Sequence, residues 1–309
     1  MDVIKYTSAY ENEWDAFVQR AKNGHFMFQR RYMEYHSSRF QDESLLFFQK
    51  NRLVAVLPAH VQGETLYSHN GLTFGGVLCD AAMTFLGMRE VFSALKVYLK
   101  AQNIHALVYK AIPACYHQLP SNEDVAVLTQ LGAEMTARDL VSVLDLSAPR
   151  KYSKGVKWAV QKAKKAALEV RRSENLSAFM QIMQELLQTK YRVYPTHSVE
   201  ELRQLARSFP ENIVLYGVFQ GQELLGGTVV FVTEQVVHAQ YIGMGEEGKA
   251  LGATPYLLDK IFSAFQGQKR YFSFGTSPGP PYINEQLYYF KESMGARAML
   301  QERYLLTWK

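Results

Sequence analysis

One pattern of hydrophobic periodicity runs through the chain twice, and it limits the fold more than any single motif does. In the second half, apolar spacing predicts a short strand at 168–172 and helices over 176–190 and 199–208. Strands at 213–219, 224–232 and 235–243 follow, then a helix at 252–265, a strand at 271–275, a helix at 283–294 and a closing strand at 299–308. The order is βααβββαβαβ. The first half reads the same way. It has a strand at 3–6, helices at 13–21 and 31–36, and strands at 45–49, 53–61 and 65–69. A helix at 83–101, a strand at 105–109, a helix at 123–131 and a last strand at 134–146 complete it.

Local sequence supports a duplication. Phe48-Gln49-Lys50-Asn51-Arg52-Leu53 and Phe219-Gln220-Gly221-Gln222-Glu223-Leu224 both read as hairpin turns between the second and third strands of a copy. Leu131-Gly132-Ala133-Glu134 and Met294-Gly295-Ala296-Arg297 both end the last helix and open the last strand. The boundary is expected near 147–152, giving domains of 1–149 and 150–309, each of ordinary size within the 309 residues.

Charge separates the halves. Residues 1–149 carry 13 basic and 15 acidic side chains, whereas 150–309 carry 21 and 14. The excess is local: between Arg150 and Arg172 nine basic residues stand against one acid, Glu169. On a helical wheel Lys154, Lys157, Trp158, Gln161, Lys162, Lys164 and Lys165 share one arc, opposite Val156, Ala159, Val160, Ala163, Ala166 and Ala167. The apolar arc is too poor in bulky residues for membrane insertion, so it is expected to pack on the domain. The basic arc then faces solvent or a phosphate-bearing partner.

Several classes are excluded. Cys79 and Cys115 are too few for a disulfide framework or a four-thiolate zinc site, so no metal is expected. No segment approaches the ~18 apolar residues of a spanning helix, and no secretory leader opens the chain, so a cytoplasmic location is expected.

The doubled order resembles the GNAT acyltransferase fold in tandem, as in FemAB/FemX-like aminoacyltransferases and proteins with a BioF-type acetyltransferase domain. The run Tyr271-Phe272-Ser273-Phe274-Gly275-Thr276-Ser277, followed by Asn284 to Arg297, carries most of the likeness. The stretch Tyr32-Met33-Glu34-Tyr35-His36, with Ser68 to Gly76, adds to it. The resemblance implies an α/β (α+β) fold of two tandem GNAT-like domains, each a mixed, mostly antiparallel sheet flanked by helices. By its spacing Asn284, Phe290 and Lys291 are the catalytic candidates, with Lys291 where simpler family members carry a tyrosine acid. A lysine there can stabilise an oxyanion or protonate a leaving group; as a bare sequence feature it can equally be a solvated side chain.

Counting back from Gly132 puts Leu128 at the matching place in the first copy, which is therefore expected to be degenerate and to serve the acceptor side. For coenzyme A the family pattern places Lys249, Gly252, Ala253 and Thr254 at the phosphate-binding helix start, with Lys heading the motif and Thr replacing its last small residue. Tyr191, Arg192, Tyr241, Lys157 and His69 are candidates for substrate contact. His69 and His36 each read as isolated histidines, and Ser277 lacks the context of a nucleophile.

These residues lead to the expectation of an acyl or aminoacyl group moved onto an amine of a sugar nucleotide, cell-wall precursor or other polar, phosphorylated metabolite. Acyl-CoA, including acetyl-CoA, is the first donor and aminoacyl-tRNA the alternative. A FemX-like tRNA-dependent enzyme and a non-catalytic GNAT-fold binding protein are the competing readings.

Overall fold

The computed structural model describes residues 1–278 and 283–308, without the side chain of Tyr191. It divides into two compact units, Met1–Asp139 with the chain from Met299 onward, and Leu140–Ala298. The boundary expected near 147–152 therefore falls inside the second unit, and the closing strand belongs to the first.

The first unit begins with β1 (Asp2–Lys5), α1 (Glu11–Arg20) and a short α2 (Arg30–Met33). Strands β2 (Gln41–Asp42), β3 (Leu45–Gln49), β4 (Arg52–Leu57), β5 (His60–Gln62), β6 (Thr65–Tyr67) and β7 (Leu78–Cys79) follow. Then come α3 (Phe85–Ala101), β8 (Ala106–Lys110), α4 (Glu123–Gln130) and β9 (Glu134–Asp145). Strands β1, β3, β4 and β7 form one antiparallel sheet. Strands β2, β5, β6 and β8 form another, in which β6 and β8 run parallel.

The strand expected at 53–61 is thus two strands in different sheets. Pro58 has no amide to give a ladder, so β4 stops at Leu57 and the chain crosses over. The helix expected at 31–36 is helical only to Met33 and continues as a 3-10 turn.

Helix α3 illustrates how pattern becomes packing. Thr84 caps it, accepting from Gly87 N at 3.1 Å, and Met88, Val91, Phe92, Leu95 and Leu99 recur on one face. All five are buried with Tyr109, Leu128 and Trp308 in the core of this unit.

The second unit contains α5 (Lys154–Lys165), β10 (Glu169–Ser173), α6 (Leu176–Tyr191) and α7 (Val199–Ser208). Next are β11 (Ile213–Gln220), β12 (Glu223–Val232), β13 (Val236–Met244), α8 (Glu246–Ala250), α9 (Ala253–Phe265), β14 (Tyr271–Thr276) and α10 (Glu285–Ser293). A last strand, β15 (Arg297–Thr307), leaves this unit; its residues 303–307 pair with β8 in the first. In the second unit, residues 141–145 of β9 pair antiparallel with β14. Each unit is completed by the strand that ends the other half of the sequence.

The α8 turn interrupts the stretch before the expected helix at 252–265, which begins at Ala253. Helix α7 carries a complete capping box, with Ser198 Oγ accepting from Glu201 N at 3.1 Å and Glu201 accepting from Ser198 N at 2.8 Å. Strands β10 to β13 are antiparallel neighbours, and β13 and β14 are parallel.

Both copies close their last helix identically. Gly132 and Gly295 have φ of +75° and +95°. Ala133 N donates to Leu128 O at 3.0 Å, and Ala296 N to Lys291 O at 3.2 Å. This is the Schellman closure that left-handed glycine permits, and it puts Leu128 and Lys291 at equivalent positions. Among the described residues no helix is long and apolar enough to cross a membrane.

Candidate active site

Strands β13 and β14 are in register only from Val236↔Tyr271 to His238↔Ser273, and beyond that point they part. Just there β13 carries an extra residue: Val229 faces Tyr241 and Val230 faces Ala239, leaving Gln240 as a bulge. A parallel pair that splays beside a bulge leaves unpaired backbone on both strands, which makes the opening suited to a ligand.

Lys291 reaches the end of β14. It is only 4% exposed, and its Nζ donates to Thr276 O at 2.6 Å and to Gly275 O at 3.2 Å. Gly275 has φ +66°, a turn that other residues adopt poorly and that presents these carbonyls to the ammonium. Burial lowers the Lys291 pKa to about 8. His238 is buried beside the same turn; a Cβ on Gly275 would stand 3.5 Å from its Cε1. Burial first, then the charge of Lys291, lowers the His238 pKa to about 4. The imidazole is therefore neutral near pH 7 while most of Lys291 is protonated.

The other expected residues are placed as follows. Asn284 caps α10, its Oδ1 accepting from Leu287 N at 3.0 Å, so this oxygen orients the helix that carries Lys291. Phe290 packs against the core of the unit. Tyr241 is buried on β13; its Oη accepts from His197 N at 3.1 Å and lies 2.7 Å from His197 Nδ1, pinning the loop after α6 to the strand. Arg192 ends α6 in a left-handed conformation and is exposed. The side chain of Tyr191 lies outside the described residues, and Lys157 is exposed on α5.

Lys249 is exposed and pairs with Glu246 at 2.5 Å. Gly252 has φ +76°, and a Cβ there would come within 2.5 Å of Ala159 O, so this glycine permits close approach of α5 and α9. Ala253 is fully buried, Thr254 is half-buried, and the following Pro255 has no amide. Helix α9 thus presents the amides of Ala253 and Thr254 at its start.

In the first unit the corresponding parallel pair is stitched shut. Ser68 N donates to Val108 O at 3.0 Å, Ser68 Oγ accepts from Lys110 N at 2.8 Å, and Gly75 N donates to Lys110 O at 3.0 Å. Leu128 is fully buried apolar packing.

His69 belongs to this first unit and is not isolated, as the sequence suggested. Its ring lies 5.1 Å from that of His36 and 5.4 Å from that of His60, and burial lowers its pKa to about 3. The three histidines are 24 and 9 residues apart, so only the folded chain brings them together. Among the described residues no group of His, Cys, Asp or Glu could hold a metal ion.

Sequence reasoning missed His238, the Gln240 bulge and His197. The one available signal was a histidine inside the apolar run from Val236 to Ala239.

A family model described as an acetyltransferase (GNAT) domain matches residues 150–286. The match falls on the splayed pair and its bulge and shows that this part of the chain is a GNAT-type acetyltransferase domain. Over the full length the fold is similar to the crystal structure of FemX, with a TM-score of 0.71 at 11% identity, covering 100% of this chain and 98% of that one. The structure of L-PGS from Bacillus licheniformis gives 0.64 at 13% identity, covering 96% and 91%. A tandem GNAT protein from the clavulanic acid biosynthesis pathway gives 0.54 at 13%, covering 99% and 98%. At such identities the likeness is one of fold. No curated protein matches the chain significantly by sequence.

Proposed function

We propose that the protein transfers an acyl group from a coenzyme A thioester to the amine of a polar, phosphorylated or nucleotide-linked acceptor, such as a sugar nucleotide or cell-wall precursor. The amine nitrogen attacks the thioester carbonyl directly. A C–N bond forms, the C–S bond breaks, and the thiolate takes a proton from Lys291, which recovers one from the acceptor's ammonium.

The observation that carries this reading is the buried Lys291 with a pKa of about 8. That value lies near the roughly 8.5 of a simple thiol, which is the match a general acid for a thiolate needs. Two of its N–H groups hold Gly275 O and Thr276 O, leaving the third for the reacting centre. Neutral His238 adds no competing charge.

A second reading, an aminoacyl-tRNA donor, rests on α5. Its lysine face is exposed, and Trp158 is 65% exposed with Lys162 Nζ 5.1 Å from its ring centre. Such a surface suits a phosphate backbone, with an affinity that falls steeply with salt. Thermal-shift measurements with acetyl-CoA, longer acyl-CoAs and charged tRNA separate the two. Stabilisation by an acyl-CoA supports the first reading; stabilisation by charged tRNA alone replaces it with the second.

A further inference from the structure

The excess of positive charge in the second half does not all reside on α5. Arg172 sits at the end of β10, and with Arg203 and Arg207 of α7 it lines a cleft of about 550 Å³ in the second unit. The floor is apolar: Leu176, Ile213 and Leu215 line it and are each at most 7% exposed. Strand β10 is separated from β14 by β11, β12 and β13, so at roughly 4.8 Å per strand spacing Arg172 and the Lys291 site are about 19 Å apart. No residue of the splayed opening lines this cleft.

We infer that this cleft is a second ligand site, taking a small organic phosphate. Three guanidinium groups face one carboxylate in the lining, Glu174, so the cleft is net positive and its walls concentrate the field. The Arg172 guanidinium stands over the Tyr216 ring, 6.0 Å from its centre, with the Glu211 charge nearby. Arg203 is held by Ser177 and, at 3.4 Å, by Glu200, which is mostly solvent-exposed. Arg207 has no ion pair among the described residues. Planar guanidinium forks match phosphate oxygens bidentately. The volume falls within the usual 300 to 1,000 Å³ of small-molecule sites and far exceeds the need of an inorganic ion, while the floor suits the organic part.

Calorimetric titration of the full chain with AMP, and separately with inorganic pyrophosphate, tests the inference. AMP should bind saturably. Combining Arg172→Gln with Arg207→Gln should weaken it at least about 10-fold, the loss expected when charge-assisted hydrogen bonds go. Glu174→Gln should tighten it, an effect no folding defect would mimic, and Lys291→Met should leave it unchanged. No saturable binding of AMP, binding of pyrophosphate alone, or an affinity that depends on Lys291 and not on the arginines would overturn the inference.

Discussion

Lys291 Nζ donates to the carbonyl of Thr276 at 2.6 Å, joining the last helix of the second unit to the end of the strand that parts from β13. This contact fixes the ammonium at the splay while burial lowers its pKa, the two properties on which the proposed proton transfer rests.

Lys291→Met removes the charge and keeps the length. Turnover should fall about 10²- to 10⁴-fold, the range of general-acid and oxyanion contributions. Circular dichroism should show the variant folded, and its affinity for acyl-CoA should change little.

The Lys291 pKa also sets a pH dependence. The proposed proton transfer requires the acid form, which is lost as pH rises through about 8. Measured with an acceptor whose amine is already deprotonated, kcat/KM should fall about tenfold per pH unit above that point. Lys291→Arg keeps its charge at every accessible pH and should remove the falling limb.

Gly252 stands at φ +76° with Ala159 O where a Cβ would go. Gly252→Ala meets both left-handed strain and a backbone clash, and it should cost at least about 2 kcal/mol in urea denaturation. Gly155→Ala, on the exposed face of α5 with only Ser153 Oγ at 3.9 Å, should be neutral or stabilise by about 0.5–1 kcal/mol.

Buried neutral histidines predict acid sensitivity. The folded pKa of His238, about 4, lies below the ordinary 6.5, so the unfolded chain binds more protons between these values. Its contribution is complete above pH 6.5 and declines on acidification, by on the order of 3 kcal/mol at pH 4. His69, at about 3, and His117, at about 4, act in the same direction. Asp124, raised to about 6 by burial, opposes them. Stability should therefore fall between pH 6.5 and 4, and His238→Gln should flatten the curve.

The elements of the second unit were legible because each combines a clear period with a local stop or cap, as Ser198 and Glu201 do for α7 or Gly295 for α10. The family resemblance, counted from Gly295, singles out Lys291, but nothing local reveals its burial. That depends on Gly275, fifteen residues or more away, turning its carbonyl inward. His238 was illegible for the same reason, since its setting arises from parallel pairing with residues about 35 positions later. In the first unit Pro58 did mark a break that the apolar run concealed. The pairing of β15 with β8 has no local signal, for Leu305 meets Val108 across nearly 200 residues.

In the proposed reaction Lys291 protonates a departing thiolate as an amine is acylated. The most direct measurement is thiol release from acetyl-CoA or a longer acyl-CoA against a panel of amino sugars and their nucleotide-linked forms, for wild type and Lys291→Met at pH 7. The wild type should show amine-dependent release, and the folded variant, still binding the donor, should lose at least about 100-fold. Undiminished release by Lys291→Met would contradict this proton transfer.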